Sequence, residues 1–370
     1  MSDVLVVALG FALAVILTPL VGSAARRLNI IARPRADRWH KRPTALLGGV
    51  AVFLAFTTVA IVFGPRSWQS FCVLAGSSFL FAVGLVDDLR QMKPYQKLIA
   101  QVLAATLILA CGLRLPWTGW LPLDMAVTVL WLVGITNAIN LLDNMDGLAA
   151  GIAAIAAVFL AIIHAGNGQL NEAVMLVAFA AVLIGFLIYN SGPALIFMGD
   201  CGALFIGFFL ASSALTAVTG GRSRTLLPIL AVPVLILLLP IFDTTLVTIL
   251  RKLTGRAASQ GGSDHTSHRL VALGISERRA VWLLYGLSTL SGLLALLVRE
   301  LPIHISVAVI AAFTVVLVLL GTYLARVNVH KEGAIRATSV PRPMEPTRRR
   351  RAHIYGTGVV NRPPVRKVHR

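Results

Sequence analysis

The chain has 370 residues, of which 57% are hydrophobic and only 13% are charged, and its mean hydropathy is +0.83. A soluble domain carries about a quarter charged residues, so this composition excludes an ordinary soluble protein. The apolar runs are continuous rather than alternating, which argues against a membrane β-barrel. The net charge of +18 is not gathered in a basic domain that stands apart from the apolar runs, so nucleic acid is not an expected partner. We therefore predict an all-α, polytopic integral membrane protein.

Eleven apolar runs have about the length needed to cross a bilayer. In chain order they cover residues 3–23, 45–64, 68–86, 96–113, 121–139, 148–166, 172–190, 203–219, 226–250, 280–298 and 303–325. The first run lacks the basic start and cleavage site of a signal peptide, so we predict a helix there. Residues 1–325 form the predicted membrane domain. Residues 326–370 form a basic tail, rich in Arg and Pro, that is expected to be disordered.

The basic residues predict an orientation. Segments 24–44, 87–97 and 251–279 and the tail hold most of the 33 Lys and Arg residues. The positive-inside rule places these segments in the cytoplasm, with the N-terminus outside the cell membrane and the C-terminus inside. The tail would then face an anionic membrane surface. No disulfide framework is expected: a Cys72–Cys111 bridge near the outer face is conceivable but not favoured, and Cys201 should be a free thiol.

Five polar segments interrupt the apolar runs, and we call them the five polar islands. They are HKRPTALLGG at 40–49, DDLR at 87–90, NAINLLDNMDG at 137–147, FMGD at 197–200 and DHTSHRL at 264–270. Acids inside a membrane protein are costly, so clusters of them indicate a site. The five islands follow the first, third, fifth, seventh and ninth predicted spans, in that order. The sequence thus predicts one cytoplasmic site built from all five.

The second island places adjacent carboxylates, Asp87 and Asp88, at the end of the third span. Adjacent carboxylates repel each other and should titrate separately. One could act as a base and the other as the partner of a metal or other cation. The alternative is a solvated helix end with Arg90 as the partner.

In the third island, Asn137, Asn140, Asp143 and Asp146 recur every three residues, so on a helix they lie along one face. Their oxygens suit Mg²⁺, which also binds phosphate oxygens. Asn144 and the glycine that ends the island suggest that the helix unwinds there. The alternative is a helix C-cap followed by a turn.

The remaining islands suggest contacts to phosphate, sugar or base. Asp200 opens the eighth span between glycines, where a helix N-terminus favours phosphate, although it could simply be an N-cap. Phe197 could stack on a base, but packing is the commoner role. His265 and His268 could bind phosphate or sugar oxygens, and zinc is a weaker idea. Lys41 is a candidate phosphate contact, and Asp243, within the ninth span, is expected to be structural support first.

DDLR, NAINLLDNMDGLAAG and FMGDCGALFIG, in this order, resemble the polyprenyl-phosphate N-acetylhexosamine-1-phosphate transferases of glycosyltransferase family 4, over residues 1–325. The resemblance implies transfer of a sugar 1-phosphate from a UDP-sugar to a polyprenyl phosphate, with release of UMP. It implies Mg²⁺ (with Mn²⁺ as an alternative) on Asn140 and Asp200, Asp87 and Asp88 at the lipid phosphate, Asp143 and Asp146 near the nucleotide, and His265 and His268 near the sugar-phosphate. The resulting assignments are catalytic Asp87, Asp88 and Asp200; substrate-binding Lys41, Asn137, Asp143, Asp146, Phe197, His265, His268 and Arg269; and metal-binding Asn140 and Asp200.

Within the family, the undecaprenyl-phosphate GlcNAc-1-phosphate branch fits best, because the eleven spans and the tail differ from the phospho-MurNAc-pentapeptide branch. Two residues depart from the family pattern. Ser267 replaces one histidine of a His-x-His-His motif, and Asn144 stands where many relatives have glycine. Alternatives are the pentapeptide branch, a Mg²⁺-binding transporter, and a non-catalytic scaffold. A homodimer is compatible with the sequence.

Overall fold

A computed structural model describes residues 3–32, 43–219, 226–256, 262 and 264–327, with the side chains of 219 and 226–230 excepted. These residues form thirteen α-helices and two short strands. The elements are α1 (Asp3–Arg27), β1 (Ile31–Ala32), β2 (Thr44–Ala45), α2 (Gly48–Phe63), α3 (Trp68–Arg90), α4 (Pro94–Ala110), α5 (Leu121–Leu142), α6 (Leu148–Gly166), α7 (Leu170–Asn190), α8 (Gly199–Thr219), α9 (Leu226–Ile236), α10 (Leu238–Leu253), α11 (Thr266–Ala272), α12 (Glu277–Glu300) and α13 (Ile303–Ala325).

The predicted polytopic all-α membrane fold is confirmed. Eight described helices are long and apolar enough to cross a membrane: α1, α3, α5, α6, α7, α8, α12 and α13. Helices α2 and α4 are apolar but shorter. Ten of the eleven predicted spans thus correspond to single helices.

The ninth predicted span is the exception. Residues 226–250 do not form one helix; α9 ends at Ile236, and α10 begins at Leu238. Leu237 between them has φ −100° and ψ 23°. Pro240 has no N–H to donate to the carbonyl of Ile236, which accounts for a break at this point. The apolar run is thus divided into two short helices.

Helix α8 lies at the centre of the molecule, with 89% of its apolar window buried. A helix that is apolar on all sides must be surrounded by other elements. Its phenylalanines pack against those of α2 and α7; for example, the rings of Phe179 and Phe209 lie 4.6 Å apart. At the periphery, only 11% of the α13 window is buried. The N-terminus of α8 therefore lies where several helices converge.

Small residues allow α3 and α8 to approach closely. A Cβ added at Gly84 of α3 would lie 2.5 Å from the backbone oxygen of Asp200. Such glycine contacts are a common means of helix packing in membranes. The contact brings the C-terminal end of α3 to the N-terminal end of α8.

The first and fourth islands are joined by backbone hydrogen bonds. Strands β1 and β2 are antiparallel, with Ile31 opposite Ala45, and Ala45 also forms a parallel bridge with Ile196. The amide of Gly48 donates to the Phe197 carbonyl at 2.8 Å, and that of Gly49 donates to the Met198 carbonyl at 2.7 Å. The chain leading into α2 thus supports the segment that precedes α8.

A disulfide joins Cys72 of α3 to Cys111 at the end of α4. This corrects the expectation that the two cysteines stay unpaired. Helices α3 and α4 form a hairpin, and the cysteines lie about equally far from the turn that joins these helices, so they reach the same depth. Cys201 is free and buried, as predicted.

Candidate active site

Asp88 caps the N-terminus of α8. Its Oδ1 accepts a hydrogen bond from the Asp200 amide at 2.8 Å, and its Oδ2 accepts one from the Cys201 amide at 3.0 Å. The first N–H groups of a helix have no partner within the helix, so a carboxylate from α3 satisfies them here. Gly199, with φ +77°, leaves room for this contact, since a Cβ there would lie 2.6 Å from Asp88 Oδ2. Both oxygens of Asp88 therefore position Asp200.

Lys97 of α4 bridges two carboxylates. Its Nζ lies 2.6 Å from Asp87 Oδ2 and 2.7 Å from Asp200 Oδ2. The other oxygen of Asp87 accepts a hydrogen bond from the Met92 amide. The cation partner expected for the Asp pair is thus Lys97, and not Arg90. Sequence reasoning missed Lys97, although a lysine inside the predicted fourth span was a usable signal.

Asn140 approaches Asp200 from the opposite side. Its Nδ2 donates to Asp200 Oδ1 at 2.9 Å, so the carboxylate lies between Asn140 and Lys97. The described residues contain no group of three or more His, Cys, Asp or Glu side chains suited to a metal. Mg²⁺ commonly uses only one or two carboxylates and takes its other ligands from water and substrate phosphates. The oxygens of Asn140 and Asp200 fit a metal that a diphosphate substrate helps to bind.

Asn137 pairs with the side chain of Gln101 on α4, and its role in substrate binding stays a prediction. Its Nδ2 donates to Gln101 Oε1 at 2.7 Å, and Gln101 Nε2 donates back to Asn137 Oδ1 at 3.2 Å. Gln101 is buried. This reciprocal amide pair is a structural link between α4 and α5, one turn of α5 away from Asn140.

The predicted unwinding of the third island is confirmed. Helix α5 ends at Leu142, a turn covers residues 143–147, and α6 begins at Leu148. Asp143 is half-buried at the C-cap of α5. Asp146 Oδ2 accepts a hydrogen bond from the Ala194 amide at 2.8 Å, which ties the turn to the segment before α8. A role for either residue near a nucleotide stays a prediction.

In the fifth island, buried Asp243 of α10 holds the start of α11. Its Oδ2 lies 2.8 Å from His265 Nδ1, and its Oδ1 accepts a hydrogen bond from the Thr266 amide at 2.6 Å. The structural role predicted for Asp243 is thus supported by its contacts. Nearby, Arg251 and Asp264 form a two-pronged ion pair, with Nε–Oδ2 at 2.9 Å and Nη2–Oδ1 at 2.6 Å. Burial acts to raise the pKa of Asp264, but hydrogen bonds from Arg251 hold that pKa below its ordinary value.

Arg269 makes contacts to backbone carbonyls, and its predicted role in substrate binding stays a prediction. Its Nη1 donates to the carbonyls of Leu324 and Val327, each at 3.0 Å. Its Nε donates to the Asp264 carbonyl at 2.9 Å. A guanidinium at a helix C-terminus satisfies the last carbonyls of that helix. Arg269 therefore fastens the fifth island to the end of α13.

The third and fifth islands meet where Ser267 Oγ donates to Asn144 Oδ1 at 2.7 Å. With the contacts above, the described parts of all five islands form one connected set at one end of the helices. Phe197 is half-buried, and its amide donates to the Ala45 carbonyl at 2.9 Å. Lys41 and residues 328–370 of the predicted tail lie outside the described residues.

The fold and the site define a polytopic membrane protein with a cluster of carboxylates, amides and imidazoles at one end of its helices. The model of the glycosyl transferase family 4 matches residues 70–218. The chain is 30% identical, over 325 residues, to the probable undecaprenyl-phosphate N-acetylglucosaminyl 1-phosphate transferase of Bacillus subtilis, covering 85% of this chain and 89% of that protein. The chain belongs to glycosyl transferase family 4, which confirms the family resemblance.

Relatives from two branches of the family match different shares of this chain. The decaprenyl-phosphate N-acetylglucosaminephosphotransferase of Mycobacterium tuberculosis H37Rv is 32% identical over 302 residues, which is 70% of this chain and 74% of that protein. The phospho-N-acetylmuramoyl-pentapeptide-transferase of Lactiplantibacillus plantarum is 32% identical over 216 residues, which is 51% of this chain and 66% of that protein. The similarity to the N-acetylglucosamine enzymes thus extends over more of the chain.

Proposed function

We propose that this protein transfers N-acetylglucosamine 1-phosphate from UDP-N-acetylglucosamine to a polyprenyl phosphate and releases UMP. The observation that carries the proposal is the connected cluster in which Asp87, Asp88, Asn140 and Asp200 converge beside Lys97. Three relatives whose names specify N-acetylglucosamine and a polyprenyl phosphate support the choice of substrates. The pentapeptide transferases match less of the chain, which favours the N-acetylglucosamine branch.

Two independent observations support the proposed orientation. Among the described residues, Arg26 and Arg27 at the end of α1, Lys93 and Lys97 at the start of α4, and Arg251 and Lys252 at the end of α10 lie at the end of the helices that carries the site. By the positive-inside rule, this placement favours the cytoplasm for that end. The Cys72–Cys111 disulfide lies near the other end of α3, and disulfides persist on the oxidising side of a cell membrane. Both observations support a site that faces cytoplasmic UDP-sugar, with the N-terminus outside.

The reaction joins an oxygen of the lipid phosphate to the sugar-bearing phosphorus of the UDP-sugar, and the bond from that phosphorus to the UMP oxygen breaks. A phosphate monoester has a second pKa near 6, so little proton removal is needed at neutral pH. Positioning and charge neutralisation therefore dominate. Lys97 is placed to pair with an incoming phosphate, while Asp88 holds the end of α8 that carries Asp200.

Asp87 and Asp88 take different parts in this proposal. Two backbone N–H groups occupy the oxygens of Asp88, which makes it a positioning residue. Asp87 shares Lys97 with Asp200 and is the better candidate for a base or a covalent nucleophile. Mg²⁺, held by Asn140 and Asp200, would neutralise charge on the diphosphate and on the departing UMP.

The deciding experiment measures UMP release by the purified protein with polyprenyl phosphate, Mg²⁺ and a panel of UDP-sugars. We expect UDP-N-acetylglucosamine to give the highest kcat/KM and chelation of Mg²⁺ to stop turnover. Asp200→Asn should lower kcat by at least about 100-fold, the scale of losing one charged stabilising group. Near-normal turnover by Asp200→Asn would contradict the metal assignment. If none of the UDP-sugars in the panel gives UMP release, the proposed function is contradicted.

A further inference from the structure

A cavity of about 770 Å³ lies at the end of the helices opposite to the candidate active site. It is enclosed by the C-terminal parts of α2 and α8 and the N-terminal parts of α3 and α7. Its volume is in the usual range for a small-molecule site, about 300–1,000 Å³. None of the described residues that are assigned to sugar transfer lines it, so the proposed function gives this cavity no role.

The shape of the cavity matches a lipid chain. Ile61 and Phe71 line it, and each is more than half exposed, so the cavity opens sideways between α2 and α3 toward the surrounding lipid. Along α3 its wall extends from Trp68 to Ser78, a rise of about 15 Å. The hydrocarbon core of a bilayer is about 30 Å thick, so one leaflet has about the same depth.

The deep part of the cavity is mainly apolar. The buried rings of Phe56 and Phe209, with centroids 4.7 Å apart, form its wall together with Leu74 and Leu176. A chain that moves here from the bilayer leaves one apolar surrounding for another, so it gains packing contacts and little hydrophobic free energy. Selectivity must therefore come from the polar groups at the mouth of the cavity.

The mouth carries one cation and one anion. Arg66, just before α3, is exposed, and Glu172, in the first turn of α7, is half-buried. Both line the cavity, and within the described part of the chain neither forms an ion pair with the other or with a third side chain. Trp68 lies beside Arg66 and is 65% exposed, and such tryptophans are typical of the head-group level of a membrane. The two charges thus lie where lipid head groups are found.

We propose that this cavity binds a phospholipid whose head group carries both a phosphate and a primary ammonium, such as phosphatidylethanolamine. The guanidinium of Arg66 is suited to the phosphate, and the carboxylate of Glu172 accepts hydrogen bonds from the ammonium. One acyl chain lies against Phe56 and Phe209. In the proposed orientation this lipid belongs to the outer leaflet. The inference goes beyond sugar transfer and does not depend on it.

The first test is a binding measurement that needs no turnover. The full chain in detergent is titrated with phosphatidylethanolamine, phosphatidylcholine or phosphatidylglycerol, and native mass spectrometry counts the bound lipid. We expect phosphatidylethanolamine to bind about fivefold more tightly than the other two, the scale of one partly exposed ion pair. Phosphatidylcholine has no N–H to donate, and phosphatidylglycerol has no cation for Glu172. Equal binding of the three lipids would overturn the proposal.

Variants at the mouth show whether the charges cause this preference. Glu172→Gln should remove most of the preference for phosphatidylethanolamine over phosphatidylglycerol. Glu300→Gln is the matched control, since Glu300 is an exposed acid at the same end of the molecule and does not line the cavity. It should keep the wild-type preference. A preference that survives in Glu172→Gln would contradict the assignment of the ammonium to this carboxylate.

A variant inside the cavity tests where the lipid lies. Ala75 lines the cavity on α3, so Ala75→Trp should fill part of it and lower the bound phosphatidylethanolamine at least about tenfold, while Ala75→Ser should behave as the wild type. Size-exclusion chromatography shows whether each variant is folded. A folded Ala75→Trp that binds the lipid as well as the wild type would place the lipid elsewhere and overturn the proposal. If Ala75→Trp does not fold, the comparison of Glu172→Gln with Glu300→Gln decides.

Discussion

At the scale of single residues, the site depends on charge pairs that cross between helices. Lys97 lies between the carboxylates of Asp87 and Asp200, with both distances under 3 Å. These three side chains come from three helices, and the shared ammonium lets two carboxylates approach each other in a half-buried setting. Removing one member leaves the others without compensation.

Lys97→Met should therefore lower kcat by about 100-fold, since the variant keeps the bulk of the side chain and loses its charge. It should also lower Tm, because two carboxylates then repel each other. Lys93→Met is the matched control, since Lys93 is an exposed lysine at the start of the same helix. UMP release and thermal unfolding in detergent measure the two effects. Equal behaviour of the two variants would contradict the role of Lys97.

The imidazole of His268 predicts how stability depends on pH. Burial, and then the neighbouring His265, lower the pKa of His268 from 6.5 to about 4. The unfolded chain takes up this proton first as the pH falls, so the contribution is complete above pH 6.5 and is lost toward pH 4. Between these values, Tm of the wild type should fall more steeply than that of His268→Gln. His304→Gln, at an exposed histidine, should keep the wild-type slope.

At the scale of the elements, the sequence-based prediction and the structure agree where a long apolar run forms a single helix. The ten spans that correspond to single helices were predictable, because length and apolarity determine such a helix in lipid. The meeting of the islands at one end followed from the alternation of spans. The Asn137–Gln101 pair and the Arg269 contacts were not predictable, since they depend on which side chain lies opposite across a helix interface. Pro233 and Pro240 are compatible with a break at Leu237, but the continuous apolar run around them predicts a single span.

The contact between α3 and α8 predicts a strong effect of one added methyl group. Gly84→Ala would place its Cβ 2.5 Å from the Asp200 oxygen, which is backbone and cannot move aside. We expect a lower Tm and at least about a tenfold loss of kcat, since Asp87, Asp88 and Asp200 shift relative to one another. Gly134→Ala on α5 is the control, because nothing lies within 4 Å of the added Cβ. A Gly84→Ala variant as active and stable as this control would contradict the packing argument.

At the scale of the whole molecule, the disulfide and the site mark opposite ends of the same helix, α3. Cys72 lies near the start of α3, and Asp87 and Asp88 lie near its end. Disulfides persist in oxidising compartments, so a disulfide at one end and the polar islands at the other support the proposed orientation. The oxidation state of Cys72 and Cys111 in cells therefore provides a test of the proposed orientation.

In denatured protein from cells, a maleimide-linked polymer should modify one cysteine before reduction and all three afterwards. Replacing Cys72 and Cys111 by serine should lower the free energy of unfolding by about 2–4 kcal/mol. UMP release should be unchanged at moderate temperature, since the bridge lies far from the site. Three reactive thiols before reduction would contradict the disulfide and remove its support for the orientation.

The contact of Arg269 with α13 also sets an order of events during biosynthesis. Arg269 is buried, and the carbonyls of Leu324 and Val327 that receive its hydrogen bonds belong to the end of the last span. During translation these acceptors do not exist until the ribosome has passed residue 327. The hydrogen bonds that join Arg269 to the end of α13 can therefore form only after residue 327 has been synthesised. A chain halted between the fifth island and residue 327 would contain all five islands, but the guanidinium of Arg269 would lack these acceptors.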